Sequence, residues 1–368
     1  RVAEAQLVLE TPAQRKHAIR GELDLLIPYQ RITELKGRER DLDDLRRWVD
    51  SDRAASVCVI TGGGGSGKTR LAIELLEQVE TEAPGQWRLG FLTSAEMERF
   101  SKLQNLAEWR RRKPVLAVVD YAAGSAGLLR MWLDQLVAAA PDGEKLRLLL
   151  LEREASFEAG WLASAVSMGH AGTAVRALFD PPEPVRLATI ADAMDRRSVL
   201  SAALRKAAEW KKAAVPGLPA VGADPEFERR LAEPVWGDPL TLMMAGLTAV
   251  ETGVPAALAM NRVDLALRLA GRECDRVAGF APHAPRRLME HMAAYVTLSG
   301  GLTREALRRA AKAESEAIGL AHPEGWGRLA DVGEDAFWED GGARAVEPDV
   351  VGEALLLCGR GAEGRSRK

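Results

Sequence analysis

The stretch Thr61-Gly62-Gly63-Gly64-Gly65-Ser66-Gly67-Lys68-Thr69 decides the reading of this chain. A β-branched run, Val57-Cys58-Val59-Ile60, leads into it, and a helix-forming run, Arg70-Leu71-Ala72-Ile73-Glu74-Leu75-Leu76, leads out. This is G-x-x-x-x-G-K-T between a strand and a helix, the context that separates a phosphate-binding loop from a glycine-rich linker. Glycines let backbone N–H groups turn inward on a polyphosphate, and the following helix presents the positive end of its dipole. In that geometry Gly62, Gly63, Gly64, Gly65, Ser66 and Gly67 form the cradle, with Arg70 behind them. Lys68 is expected to reach the β- and γ-phosphates, and the Thr69 hydroxyl to ligate Mg²⁺. The pattern predicts binding of a nucleoside triphosphate.

Outward from the loop, apolar runs alternate with helical patterns. Strands are expected at Val57–Thr61, Arg88–Leu92, Val115–Asp120, Leu146–Leu151 and Val185–Ala188. Such alternation predicts an α/β domain with a mainly parallel sheet, and near-continuous apolar strands fit a sheet buried on both faces. Strand signals fade after Ile190, and helices are expected at Asp192–Trp210, Pro225–Leu231, Asp238–Thr252 and Asn261–Val277. Pro282 and Pro285 punctuate a change to a third block, with helices at Arg286–Ser299, Thr303–Ala313 and Pro323–Val332, a short extended piece, and Val350–Leu357. Three helices with a small hairpin make a winged-helix pattern. The organisation expected is a helical linker over 1–34, the parallel-sheet P-loop domain over 35–190, a helical domain over 191–278, a winged-helix domain over 279–360 and a tail over 361–368.

Length and composition are compatible with this plan. The chain has 368 residues, 47% of them hydrophobic and 28% charged, which suits two or three globular domains. A net charge of −3 gives no overall reason to expect a nucleic acid or an anionic membrane as partner. Three scattered cysteines, Cys58, Cys274 and Cys358, indicate neither a disulfide framework nor a zinc site, and the five histidines show no ligand spacing. No apolar run nears eighteen residues and no signal-peptide pattern opens the chain, so a cytoplasmic protein without a membrane segment is expected. The first residue is Arg1, which suggests a piece of a longer protein.

Two further strands end in residues that carry chemistry. Val115-Leu116-Ala117-Val118-Val119-Asp120 is an apolar strand closing on a carboxylate, the form of a Walker B element, with Asp120 expected beside Thr69 at Mg²⁺. Tyr121 follows it, where an enzyme with brisk hydrolysis would place a carboxylate to polarise water. No acidic residue follows before Asp134, which predicts slow turnover, since general-base assistance is typically worth about 10²–10⁴ in rate. Leu148-Leu149-Leu150-Leu151-Glu152-Arg153 places Arg153 just beyond the neighbouring strand, suited to sensing a γ-phosphate. The tryptophans fit core positions better than base stacking, with Trp236, beside Gly237, the one candidate to pack near the nucleotide.

In this order the pieces resemble a signal-transduction ATPase with numerous domains, the STAND class that includes the NACHT and NB-ARC proteins. Gly37-Arg38-Glu39 resembles the family's N-terminal element, which implies that Arg38 contacts the base. Gly237-Asp238-Pro239 is similar to its G-x-P element, which implies that Pro239 packs against adenine. Glu347-Pro348-Asp349-Val350-Val351 resembles the methionine-histidine-aspartate motif that clamps the ADP β-phosphate, except that proline replaces the histidine and cannot donate a hydrogen bond. The resemblance spans about residues 35 to 360. It implies an ATP/ADP-controlled switch whose activation brings self-association, with an effector domain before this core, a sensor after it, and roles such as antiphage defence or transcription control.

Two other readings stay open. The same loop with C-terminal helices suits a hydrolysing AAA+-type remodeller, against which Tyr121 and the lack of an evident subunit-reaching arginine count. Arg286, Arg287, Arg304, Arg308, Arg309 and Lys312 make the third block locally basic, but charge runs on helices are more often solvated than DNA-binding, and DNA is not the expected partner.

Overall fold

In the computed structural model, residues 6–138, 143–166, 170–320, 322–339 and 342–360 are described; the expected tail 361–368 lies outside them. The chain divides into two compact units, Arg1–His17 with Glu34–Asp195, and Ala18–Thr33 with Arg196–Lys368.

The first unit is the α/β domain. Its elements run α1 (Pro12–Arg15), α2 (Glu39–Asp50), β1 (Ala55–Thr61), α3 (Lys68–Glu82), β2 (Arg88–Phe91), α4 (Ser94–Leu103), β3 (Val115–Asp120), α5 (Ala126–Ala138), β4 (Leu146–Glu152), α6 (Gly160–Ala165), α7 (His170–Arg176) and β5 (Val185–Arg186). The sheet is five-stranded and parallel, in the order β2-β3-β4-β1-β5. All five expected strands are present, with ends shifted by two residues or fewer. The apolar runs explain why: Val57–Ile60, Val115–Val119 and Leu148–Leu151 are buried along their whole length, as strands covered on both faces require. Cys58 is a core residue of β1 whose thiol burial pushes up to about 12, leaving it inert.

Register puts β4 between β1 and β3, pairing Thr61 with Glu152 and Asp120 with Leu151. The C-terminal ends of the three strands that carry the candidate chemistry therefore lie together. The opposite end of the strands is locked by Arg147 of β4, which is fully buried. Its guanidinium donates to the carbonyls of Trp48 (3.2 Å), Val49 (3.1 Å), Ser51 (2.5 Å) and Arg53 (2.8 Å), satisfying the orphan carbonyls at the end of α2. Burial draws its pKa down to about 10, so the group stays charged at neutral pH.

Of the stretch 1–34, expected as a helical linker, the described residues 6–34 carry only the four-residue α1 and two 3₁₀ turns as helical structure, Glu22–Leu26 and Pro28–Gln30. Glu10 instead bridges Phe91 antiparallel, its N–H donating to the Phe91 carbonyl at 2.9 Å and its carbonyl accepting from the Phe91 N–H at 2.8 Å. This covers the β2 edge of the sheet, and a Cβ on Gly90 would stand 2.6 Å from the Glu10 carbonyl. Further on, Leu23, Leu25, Leu26 and Ile27 are all buried, an apolar run with the wrong spacing for one helix face, and it packs within the second unit.

The second unit is helical: α8 (Ala193–Lys211), within which the division falls, α9 (Pro225–Leu231), α10 (Pro239–Thr252), α11 (Val254–Leu258), α12 (Arg262–Gly279), α13 (Arg286–Leu298), α14 (Arg304–Ile318), α15 (Trp326–Phe337) and α16 (Asp349–Arg360). Short strands β6 (Leu302–Thr303), β7 (Trp338–Glu339) and β8 (Gly342–Ala343) form an antiparallel sheet in the order β6-β8-β7. The blocks 191–278 and 279–360, expected as separate domains, both fall mainly within this unit. The segment 18–33 is pinned there by ion pairs. Glu22 pairs with Lys211 (3.0 Å) and Arg272 (2.5 Å), and Asp24 accepts from Arg344 (2.6 Å) and from the N–H groups of Arg20 and Gly21. Among the described residues, no helix is long and apolar enough to cross a membrane.

Candidate functional site

The loop between β1 and α3 has the P-loop architecture expected of residues 62–69. Gly65 and Gly67 adopt left-handed backbone (φ 87° and 93°), which a Cβ would strain, and Gly67 sits at the N-cap of α3. A Cβ on Gly62 would come 2.7 Å from Ser66 Oγ, so any larger residue there would push the Ser66 side chain aside. Ser66 donates its N–H to the Gly63 carbonyl (3.1 Å), while its buried hydroxyl makes no hydrogen bond. A buried hydroxyl without a partner inside a glycine cradle is what a loop built for a polyphosphate would present.

The residues predicted to act together converge here. Lys68 folds back over the loop, its Nζ donating to the carbonyls of Gly62 (2.6 Å) and Gly63 (3.2 Å). Thr69 Oγ1 donates to Asp120 Oδ2 at 2.8 Å, so the two candidate Mg²⁺ ligands stand side by side. Burial pushes the Asp120 carboxyl up from its ordinary value, while Thr69, the Tyr121 N–H and the charges of Lys68 and Arg15 pull it down. An oxygen pair of this kind suits Mg²⁺, which keeps most of its waters and takes one or two protein ligands. Among the described residues, no group of three or more His, Cys, Asp and Glu forms a larger metal centre.

Arg153 lies next to the loop, its carbonyl accepting the Gly62 N–H at 3.2 Å and its side chain exposed. Tyr121 also faces solvent, 57% exposed, in left-handed backbone (φ 54°) immediately after Asp120. Arg70 forms a 2.7 Å ion pair with Glu74 one turn along α3. Arg38 is 3% exposed and turned under the loop: its Nη2 donates to the Ser66 carbonyl at 3.0 Å, and Nη1 stands 3.5 Å from Asp41.

Pro239 belongs to the second unit, in the first turn of α10, which Asp238 caps by accepting the Thr241 N–H at 3.2 Å. Asp238 also pairs with Arg262 at 2.8 Å. Trp236 is a core residue of that unit, 1% exposed, and its indole N–H makes no hydrogen bond. Pro348 precedes α16, its carbonyl accepting the Val351 N–H at 2.8 Å.

Two contributors escaped the sequence reading. Glu152 accepts the N–H groups of Ala123 (3.0 Å) and Arg153 (2.6 Å), tying the turn after β3 to the end of β4. A carboxylate ending the strand that precedes a candidate sensor was the available signal. Arg15, from the presumed linker, adds positive charge toward Asp120, pairs with Glu10 at 2.7 Å and stacks on Phe91 with 4.7 Å to the ring centroid. Nothing in the local pattern pointed to it.

No protein-family model matches the chain, and no curated protein matches it either. Among solved structures it is similar to domain III of the Thermotoga maritima replication initiation protein DnaA, at 17% identity and TM-score 0.39, covering 62% of this chain and 95% of that one. It is also similar to Cdc6p from Pyrobaculum aerophilum, at 12% identity and TM-score 0.38, covering 89% and 95%. A third is C. elegans PCH-2, at 13% identity and TM-score 0.40, covering 67% and 72%. At TM-scores this low, the likeness says nothing of what the chain does.

Proposed function

We propose that the chain is an ATP/ADP-binding switch of the STAND type, in which nucleotide exchange gates self-association and the activation of an effector. The observation that carries the nucleotide reading is the contact of Thr69 with Asp120 at the foot of a loop whose lysine lies across its own carbonyls. Lys68 exchanges those carbonyls for phosphate oxygens, and Thr69 and Asp120 hold Mg²⁺ between the strand ends. In this reading Arg153, whose carbonyl takes the Gly62 N–H beside the loop, registers the γ-phosphate. Elements α13, β6, α14, α15, β7, β8 and α16, with the sheet order β6-β8-β7, support a winged-helix reading of the last block.

Slow turnover is part of this reading. Tyr121 brings no carboxylate, and both oxygens of Glu152 are engaged by backbone N–H groups, so neither is poised to take a proton from water. A hydrolysing remodeller is the second reading, and the structural fact that favours it is that Glu152 brings a carboxylate to this end of the strands. Contact with DNA is not part of the proposal. Arg286 pairs with Asp275 and Glu290, Arg304 with Glu334 and Arg309 with Glu305, so much of the basic character is neutralised locally.

Nucleotide must change state as well as bind. Moving a population from 1:99 to 99:1 takes about 5.5 kcal/mol of differential affinity. Mass and hydrodynamic radius measured with ADP, ATP and a non-hydrolysable ATP analogue test this. A shift with the triphosphates that ADP reverses is expected. Identical size in all three, with rapid multiple turnover, would replace the switch by the remodeller.

A further inference from the structure

The family resemblance implies that Arg38 contacts the nucleotide base, but the geometry points to a different task, and we propose that Arg38 is the positioning residue of the phosphate loop. The proposal rests on the nucleotide-binding reading of residues 62–69. Gly37 takes left-handed backbone (φ 64°), where a Cβ would meet Ile190 at 3.4 Å and Asp195 at 3.5 Å. That turn leaves Arg38 at the N-cap of α2, and its side chain runs inward to 3% exposure. Its guanidinium is fixed at two points, the Ser66 carbonyl at 3.0 Å and the Asp41 carboxylate at 3.5 Å. Both terminal nitrogens of this buried guanidinium already face protein partners, one on the loop and one on α2.

The consequence for phosphate follows from peptide geometry. In a trans peptide the carbonyl and the next N–H point in opposite directions across one rigid plane. With the Ser66 carbonyl held by Arg38 on the buried side, the Gly67 N–H is aimed the other way, toward the side of the loop turned from the interior. Gly67 is also the N-cap of α3, so this peptide stands where the helix presents its positive end. Without Arg38, a glycine-flanked peptide is free to flip and present its carbonyl, a phosphate-repelling group, in place of a donor. Arg38 thus acts through the backbone, on the polyphosphate and not on the base.

The test compares ATP, GTP and inorganic tripolyphosphate, titrated with Mg²⁺ into the wild-type chain, Arg38→Ala and Arg38→Lys, with thermal unfolding of each. Tripolyphosphate separates the alternatives because it has no base. Arg38→Ala is expected to weaken ATP and tripolyphosphate by the same factor, at least about tenfold, with the ATP-to-GTP ratio unchanged. Arg38→Lys, able to reach the Ser66 carbonyl with a single donor, is expected to fall between, and it carries the test should Arg38→Ala not fold. A general loss of stability would lower the unfolding midpoint without moving the affinity of the folded fraction. Loss of ATP affinity or of the ATP-to-GTP preference, with tripolyphosphate unaffected, would overturn the proposal in favour of a base contact. Unchanged affinity for all three would overturn it outright. A wild-type chain that binds neither ATP nor tripolyphosphate would remove the nucleotide reading itself, a separate result.

Discussion

The two units handle buried charge in opposite ways. In the α/β unit the sheet is apolar through its middle, and its polar groups stand at the strand ends. Thr61, Asp120 and Glu152 mark one end of the strands, and the fully buried guanidinium of Arg147 locks the other. In the helical unit charge is dispersed along helix faces and holds down a segment from far earlier in the sequence, through Glu22 with Lys211 and Arg272, and Asp24 with Arg344. A parallel sheet has no polar middle to offer, so function collects where strands end. A helical assembly has charge to spare on every turn and uses it as ties.

The contrast makes four changes comparable. Arg147→Met should have the largest effect, because it leaves several buried carbonyls without a donor. A loss of about 3–5 kcal/mol in urea denaturation is expected. Asp24→Asn removes the charge that Arg344 and two N–H groups share and should cost about 2 kcal/mol, less because the other ties remain. If Asp24→Asn cost as much as Arg147→Met, the contrast between one lock and many ties would fail. The two smaller effects are gains. Thr248 is fully buried in α10 with an unpartnered hydroxyl, so Thr248→Val should stabilise by about 1 kcal/mol, read as a higher urea midpoint.

Asp120→Asn tests the site end of the strands in the same way. Burial raises the folded-state pKa of Asp120, so its favourable contribution is present below the unfolded value and lost as pH rises through the folded one. At neutral pH the carboxylate is therefore a liability without a cation. Asp120→Asn should raise the thermal midpoint in EDTA and abolish the rise on adding Mg²⁺ with nucleotide. For the wild type, the Mg²⁺ effect should weaken as pH falls through that raised pKa. A lower midpoint in EDTA would show that Asp120 is a structural carboxylate.

How much was legible follows the same division. The five strands could be read because each is an apolar run, and Lys68, Thr69 and Asp120 because loop spacing and strand end fix where they meet. Arg38 stands out by its motif, but its contact with the Ser66 carbonyl, 28 residues away, is one that only the fold brings about. Arg147 was hidden inside a strand pattern that a charged residue would ordinarily interrupt. The grouping of residues 18–33 with the second unit is not legible locally, because their partners lie hundreds of residues distant, as the Asp24–Arg344 pair shows, and no local period reports that.

The central claim is that this loop binds nucleotide through Lys68 with Mg²⁺ at Thr69 and Asp120. Titration calorimetry of ADP and ATP with Mg²⁺ against the wild-type chain and Lys68→Ala tests it most directly. Saturable binding by the wild type is expected, with a loss of at least about 100-fold in Lys68→Ala, some 2.7 kcal/mol. Equal affinity in the two proteins, or no binding to the folded wild type, would contradict it.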